Sequence, residues 1–193
     1  IHQPITVLTN FMITTICVVV FIKLKKIEAS DNNWNLFFLL FGASTFVGAF
    51  AHAFFILPVG NGYKTFWLSM QVLNIMSLYF FQQGIANTLL QKSENRKMWR
   101  LVYRSQLFVA MAAIFLFQNF LAVVIANAFG FIPILILCFK TKKLSYVTIG
   151  KGIVISFFTA FVHSFKISIN AYFNYDAIAH VLIMISFLVI FLG

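Results

Sequence analysis

The stretch Leu101–Phe139, LVYRSQLFVAMAAIFLFQNFLAVVIANAFGFIPILILCF, decides the fold. Its one charge, Arg104, lies near its start. As a single helix it would be about 58 Å long at 1.5 Å per residue, about twice the hydrocarbon core of a bilayer, which is roughly 30 Å thick. It therefore predicts two membrane-spanning helices that fold back on each other at the polar pair in its middle, Gln118–Asn119.

Working outward, the same reading gives apolar runs at Ile5–Ile22, Trp34–Leu57, Thr65–Leu90, Ser145–Phe165 and Tyr175–Leu192. Pro58, Gly60, Asn61 and Gly62 end the second run. The expectation is an all-α, polytopic bundle of seven transmembrane helices, with residues 1–193 forming one domain. Helices are required because a backbone facing lipid must satisfy its own hydrogen bonds. The short alternating segments of a membrane barrel are absent. Composition agrees: 62% of residues are hydrophobic and 9% charged, against about 25% charged in a soluble domain. The run Ile5–Ile22 is too long for a signal core and has no basic residues before it, so it reads as a span.

A net charge of +10 would suggest nucleic acid in a soluble protein. Here the charges fall in short loops and read as topology signals, with no nucleic-acid partner implied. Lys23, Lys25 and Lys26 follow the first run. Lys92, Arg96, Lys97, Arg100 and Arg104 follow the third, and Lys140, Lys142 and Lys143 the fifth. The alternate loops hold only Lys64 and Lys166. The positive-inside rule then places the N-terminus outside and the C-terminus in the cytoplasm. Abundant Phe, Ile, Asn and Lys suggest an AT-rich, bacterial coding bias, so the inner (plasma) membrane of a bacterium is the expected location. Cys17 and Cys138 lie in separate apolar spans and read as packing residues.

Topology assigns depth. His52 falls about 8 Å below the outer end of its span, at 1.5 Å per residue. His163 lies near the outer end of the sixth span, and Asp176 and His180 in the first turns of the seventh. Asn10, Gln71, Asn74 and Asn127 lie in the outer halves of their spans. Polar groups are costly in hydrocarbon and usually face the bundle interior, so one shared depth points to a single polar cavity. Asp176 and His180, four residues apart, share a helix face. Carboxylate oxygen and imidazole nitrogen are both zinc ligands, and three protein ligands plus water make a catalytic site. His52, Asp176, His180 and His163 are the candidate ligands, with Ser44, Asn74, Gln71 or Asn127 orienting a substrate carbonyl. Alternatively, Asp176 caps the seventh helix, and His52 is a hydrogen-bonded histidine between helices. Gly42, Ser44, Thr45, Gly48, Ala49 and Ala51 suit close helix approach. The basic segment Lys92–Arg104 suits anionic headgroups, and Trp34, Trp67 and Trp99 an interfacial aromatic belt. The last span holds no lysine, which disfavours a retinal protein.

Gly48-Ala49-Phe50-Ala51-His52 and Asp176-Ala177-Ile178-Ala179-His180 carry a likeness to a known family. The arrangement resembles the superfamily of alkaline ceramidases and progestin/adipoQ receptors. Members carry Ser-x3-His late in helix two, an Asp early in helix three and His-x3-His early in helix seven. The resemblance implies zinc held by histidines, an activated water, and a lipid amide entering from the bilayer. Gly48 stands in place of the family Ser, Asp176 in place of the first helix-seven His, and Tyr63–Trp67 holds no acid. The reading is a zinc-dependent hydrolase acting on a lipid-like amide or ester among membrane lipids. The alternatives are a ligand-binding or transport protein, which needs a polar path to the cytoplasm, and a structural subunit with a partner in a larger membrane complex, which suits the very short loops.

Overall fold

The computed structural model describes residues 3–27, 31–54, 60–90, 95–118, 120–170 and 172–193, the side chain of residue 120 excepted. They form seven α-helices in order: α1 (Pro4–Lys25), α2 (Asn32–Phe54), α3 (Asn61–Leu89), α4 (Arg96–Phe117), α5 (Phe120–Lys140), α6 (Leu144–Ser164) and α7 (Tyr175–Leu192). No strand occurs among the described residues. Six helices are long and apolar enough to cross a membrane, the architecture of a membrane protein. The helix that falls short of that apolarity is α3.

The physical reason is the position of α3. It packs against α2, α4 and α5, so its polar residues meet protein. Gln71, Ser77, Gln82 and Gln83 are all buried there. Gln82 donates to Gln106 Oε1 of α4 at 2.9 Å, and Asn87 donates to Asp31 Oδ2 at 2.7 Å. The helices α1, α2, α3, α5, α6 and α7 close a ring by neighbour contacts, and α4 leans on α3 and α5 from outside. The outer position of α4 leaves Phe108, Val109, Leu116 and Phe117 strongly exposed.

The fold-back between α4 and α5 falls where the sequence places it. Gln118 adopts the left-handed conformation (φ 47°), and its N–H closes the helix on the Ile114 carbonyl. Pro58, Asn119 and Lys92, named above as terminator, turn and loop residues, lie outside the described residues. The small residues of α2 are buried as expected. A Cβ on Gly42 would sit 2.9 Å from Cys17 Cβ, so that seam needs glycine. Thr14 and Thr45 share a hydrogen bond of 3.0 Å across the same seam. Cys17 and Cys138 are buried free thiols.

The core sits inside the ring. Phe187 of α7 meets Phe41 at 4.4 Å, Phe37 at 5.4 Å and Phe38 at 5.8 Å between ring centroids, and Phe37 meets Phe81 at 5.0 Å. Apolar transfer gives no driving force between helices in lipid, so such interlocked packing holds the bundle together. One end of the bundle is basic: Lys23 lies over the Phe191 ring, and Arg96 and Arg100 reach Asn87. Lys151 is a further cation, which the charge reading passed over. It is exposed, two turns into α6, from where a lysine can snorkel its ammonium towards the interface.

Candidate functional site: a polar-mouthed cavity

At the end opposite the basic residues, the start of α1, the end of α2, the end of α6 and the start of α7 meet. Asn174 caps α7, its Oδ1 accepting from the Ala177 N–H at 3.0 Å and from the Thr6 hydroxyl at 3.4 Å. The capping role considered for Asp176 therefore belongs to Asn174. Asp176, two residues into the helix, is left to turn its carboxylate to His163, with Nε2 to Oδ1 at 3.4 Å.

His52 and His180 come together from α2 and α7, their ring centroids 6.5 Å apart and nearly perpendicular. Each ring is oriented by a partner on its Nδ1. The His52 Nδ1 lies 2.7 Å from Gln3 Oε1, an amide oxygen that can only accept. The His180 Nδ1 lies 2.9 Å from the Thr9 hydroxyl, which is also 3.0 Å from the Thr6 carbonyl. The Gln3 oxygen calls for hydrogen on His52 Nδ1 and leaves that ring's lone pair on Nε2; His180 takes the same tautomer when the Thr9 proton goes to the Thr6 carbonyl. Ligating histidines are arranged in this way, with the second nitrogen bonded outward to fix ring and tautomer.

The donor set suits zinc in kind and falls short in spacing. Two imidazoles on one tetrahedral zinc have ring centroids about 5 Å apart, given Zn–N bonds of about 2.0–2.1 Å. The pair here is wider by a little over 1 Å. Asp176 is engaged with His163 at 3.4 Å. Among the described residues, no group of three His, Cys, Asp or Glu side chains is arranged to hold a metal ion.

His52, His163, Asp176 and His180 open onto one cavity of about 240 Å³. Its wall follows α7 from Asp176 to Ile190, a helical rise of about 21 Å, so the space is long and slender. Its far end is apolar, with Phe37, Phe41, Phe187 and Ile190. Between the two ends Asn74 and Asn127 face it, Asn127 donating to Asn74 Oδ1 at 3.2 Å. Thr159 also lines it, with its buried hydroxyl unpartnered among the described residues.

The other expected site residues lie elsewhere. Ser44 is buried and donates to the Met70 carbonyl at 2.8 Å, tying α2 to α3 outside the cavity lining. Asn10 donates to the Thr6 carbonyl of its own helix at 3.1 Å. Gln71 is fully buried beside the cavity wall, and neither amide atom is bonded among the described residues. Sequence reasoning missed Gln3, Thr9, Thr159 and Asn174. The i, i+3 spacing of Thr6 and Thr9 and the position of Asn174 just before an apolar run were signals for two of these; for Gln3 and Thr159 there was none. No curated protein and no solved structure matches the chain. A family model matches residues 5–193, and the chain belongs to that family, DUF6962, a family of unknown function.

Proposed function

We propose that the chain is a membrane hydrolase that draws an amphiphilic, lipid-like amide or ester into the slender cavity and cleaves it at the polar mouth with the help of zinc. The carrying observation is the pairing of His52 and His180, each with its Nδ1 bonded outward, at the polar end of a cavity whose other end is apolar. The apolar end suits an alkyl chain, because burial there leaves no polar group without a partner. His52 and His180 would hold the metal once their rings close by about 1 Å, the excess over zinc geometry, and the second carboxylate oxygen of Asp176 would be the third ligand. Zinc held there would supply a water of pKa about 7 and would polarise the substrate carbonyl. Asn74 and Asn127 are placed to orient the substrate's carbonyl or amide group by hydrogen bonding. His163, held by Asp176, is placed to accept or deliver a proton at the mouth. The resemblance to the ceramidase and progestin/adipoQ receptor superfamily supports the same chemistry.

The proposal includes the topology: seven spans, α3 among them, with the site end outside and the basic end in the cytoplasm of a bacterial inner membrane. The 29 residues of α3 rise about 44 Å, ample for a bilayer. Its Gln71, Ser77, Gln82 and Gln83 are buried against protein, and Gln82 donates to Gln106 of α4. The apolar far end of the cavity disfavours a transport path.

Elemental analysis of the purified protein, beside His180→Ala, tests the reading. Stoichiometric zinc in the wild type that falls in the variant, with hydrolysis of a lipid amide or ester lost on chelation, is expected. Negligible metal in both proteins overturns it.

A further inference from the structure

We propose that Ile190, with Phe37, Phe41 and Phe187, forms a floor that limits the substrate to acyl chains of medium length. The proposal rests on the hydrolase reading for the chemistry at the mouth and adds what the rest of the cavity selects. His180 and Ile190 both line the cavity and both stand on α7. That helix holds neither proline nor glycine between them, so the ten residues from one to the other measure depth. The rise is about 15 Å at 1.5 Å per residue. Both side chains lean towards the helix start, which leaves the separation unchanged. Van der Waals contact with the floor takes about 4 Å of it. An extended alkyl chain advances about 1.25 Å per carbon, given C–C bonds of about 1.52 Å, so about nine carbons fit below the histidine. A chain of about 16 carbons needs about 20 Å at the same advance and would run into the floor.

Aromatic packing seals the floor. Phe37 is 1% exposed, and Phe187 and Ile190 are each 4% exposed. The Phe187 ring meets both Phe37 and Phe41, at 5.4 and 4.4 Å between centroids. The serines that line the cavity are already committed. Ser77 donates to the Asn74 carbonyl at 2.7 Å, Ser156 to the Ile153 carbonyl at 2.7 Å and Ser186 to the Gly152 carbonyl at 2.8 Å. None of these hydroxyls has a proton left for a ligand, so the occupant of this part is a plain hydrocarbon chain, which leaves no polar group without a partner. Ile190 also borders a second cavity of about 230 Å³ towards the basic end, together with Phe38 and Ile149. One side chain thus stands between two spaces, which makes Ile190 the residue whose size sets the limit.

Alkyl chains of graded length, anchored at the histidine level, test the floor without metal or hydrolysis. His180→Cys puts a thiol at the top of the measured distance, and straight-chain alkyl methanethiosulfonates attach to it as disulfides, counted by intact mass. The His180 parent, treated alike, gives the background from Cys17 and Cys138, both buried. The melting temperature in detergent is expected to climb with each added carbon as burial proceeds, to peak at about nine chain atoms, and to fall beyond, where the chain overpacks the floor. Ile190→Ala in the same background is expected to move the peak outward by about two carbons, the length freed by its missing γ and δ carbons. The milder Ile190→Val is expected to move it by about one carbon. Ile153→Ala, buried in the same core but outside the cavity lining, is expected to leave the peak in place. A flat or steadily rising profile, a thiol that takes no chain, or equal shifts in Ile190→Ala and Ile153→Ala overturns the floor, even in a protein that hydrolyses lipids. A peak, beside a wild type that binds no zinc, supports the floor and overturns the hydrolase reading alone.

Discussion

Gly152→Ala measures how tightly backbone packing fixes the helix that carries the site. An added Cβ at Gly152 would stand 2.5 Å from Ile190 Cγ1, 2.9 Å from the Ser186 carbonyl oxygen and 3.1 Å from the Ile190 nitrogen. The Ile190 side chain can rotate away. The other two atoms are α7 backbone, and reaching ordinary contact at 3.4 Å needs α6 and α7 to part by about 0.5 Å, a shift of the kind overpacking forces. That parting also strains the bond from the Ser186 hydroxyl to the Gly152 carbonyl, now 2.8 Å. Overpacking of this kind costs about 1–3 kcal/mol. For a chain of this size each kcal/mol lowers the melting temperature by roughly 2–4 °C, so a fall of about 2–12 °C is expected. Thermal unfolding in detergent, followed by tryptophan fluorescence, reads it. Gly150→Ala is the control on the same helix: its Cβ would meet the Phe139 ring at 3.2 Å, a side chain that can turn, and Cys138 Cβ at 3.3 Å, close to ordinary contact at 3.4 Å. A fall in Gly152→Ala no larger than in Gly150→Ala would refute the argument that backbone contact sets the α6–α7 distance.

Three further outcomes are expected. Thr9→Val removes the oxygen bonded to His180 Nδ1 and should weaken zinc affinity about 10–100-fold, while Thr9→Ser retains it; competition with a zinc chelator measures both. Asn174→Ala should destabilise the protein by about 1 kcal/mol through loss of the cap, and Asp176→Asn should cost less than half of that; the opposite order in thermal melts would return the capping role to Asp176. Phe187→Ala, at the junction of three buried or half-buried phenylalanines, should cost about 3–5 kcal/mol, read as reduced monodisperse yield after heating.

Much of the fold was legible because the bilayer makes a simple demand. Apolar run length gave seven helices, and the pair Gln118–Asn119 gave the sharpest turn, where the structure puts a left-handed Gln118. α3, read from the run Thr65–Leu90, is the helix that falls short of the apolarity of a span, because several of its residues are polar and buried against protein. Of the site, the pairing of His52 with His180 and that of His163 with Asp176 could be anticipated from shared depth. Depth says nothing about rotation around a helix axis. That is why Ser44, one face round from His52, turned out to bond the Met70 carbonyl, why Asn10 bonds its own helix, and why Gln71 missed the cavity.

By itself the chain's order of residues determined which segments are helices, how long they run and which ends gather the cations, since each of those depends on local hydrophobicity and charge. Only the packed bundle decided which side chains meet. The azimuth of each helix is set by interlocking with its neighbours, and that rotation gives Thr9 and Gln3 to the two histidines, Thr6 to the Asn174 side chain, and both arginines to Asn87.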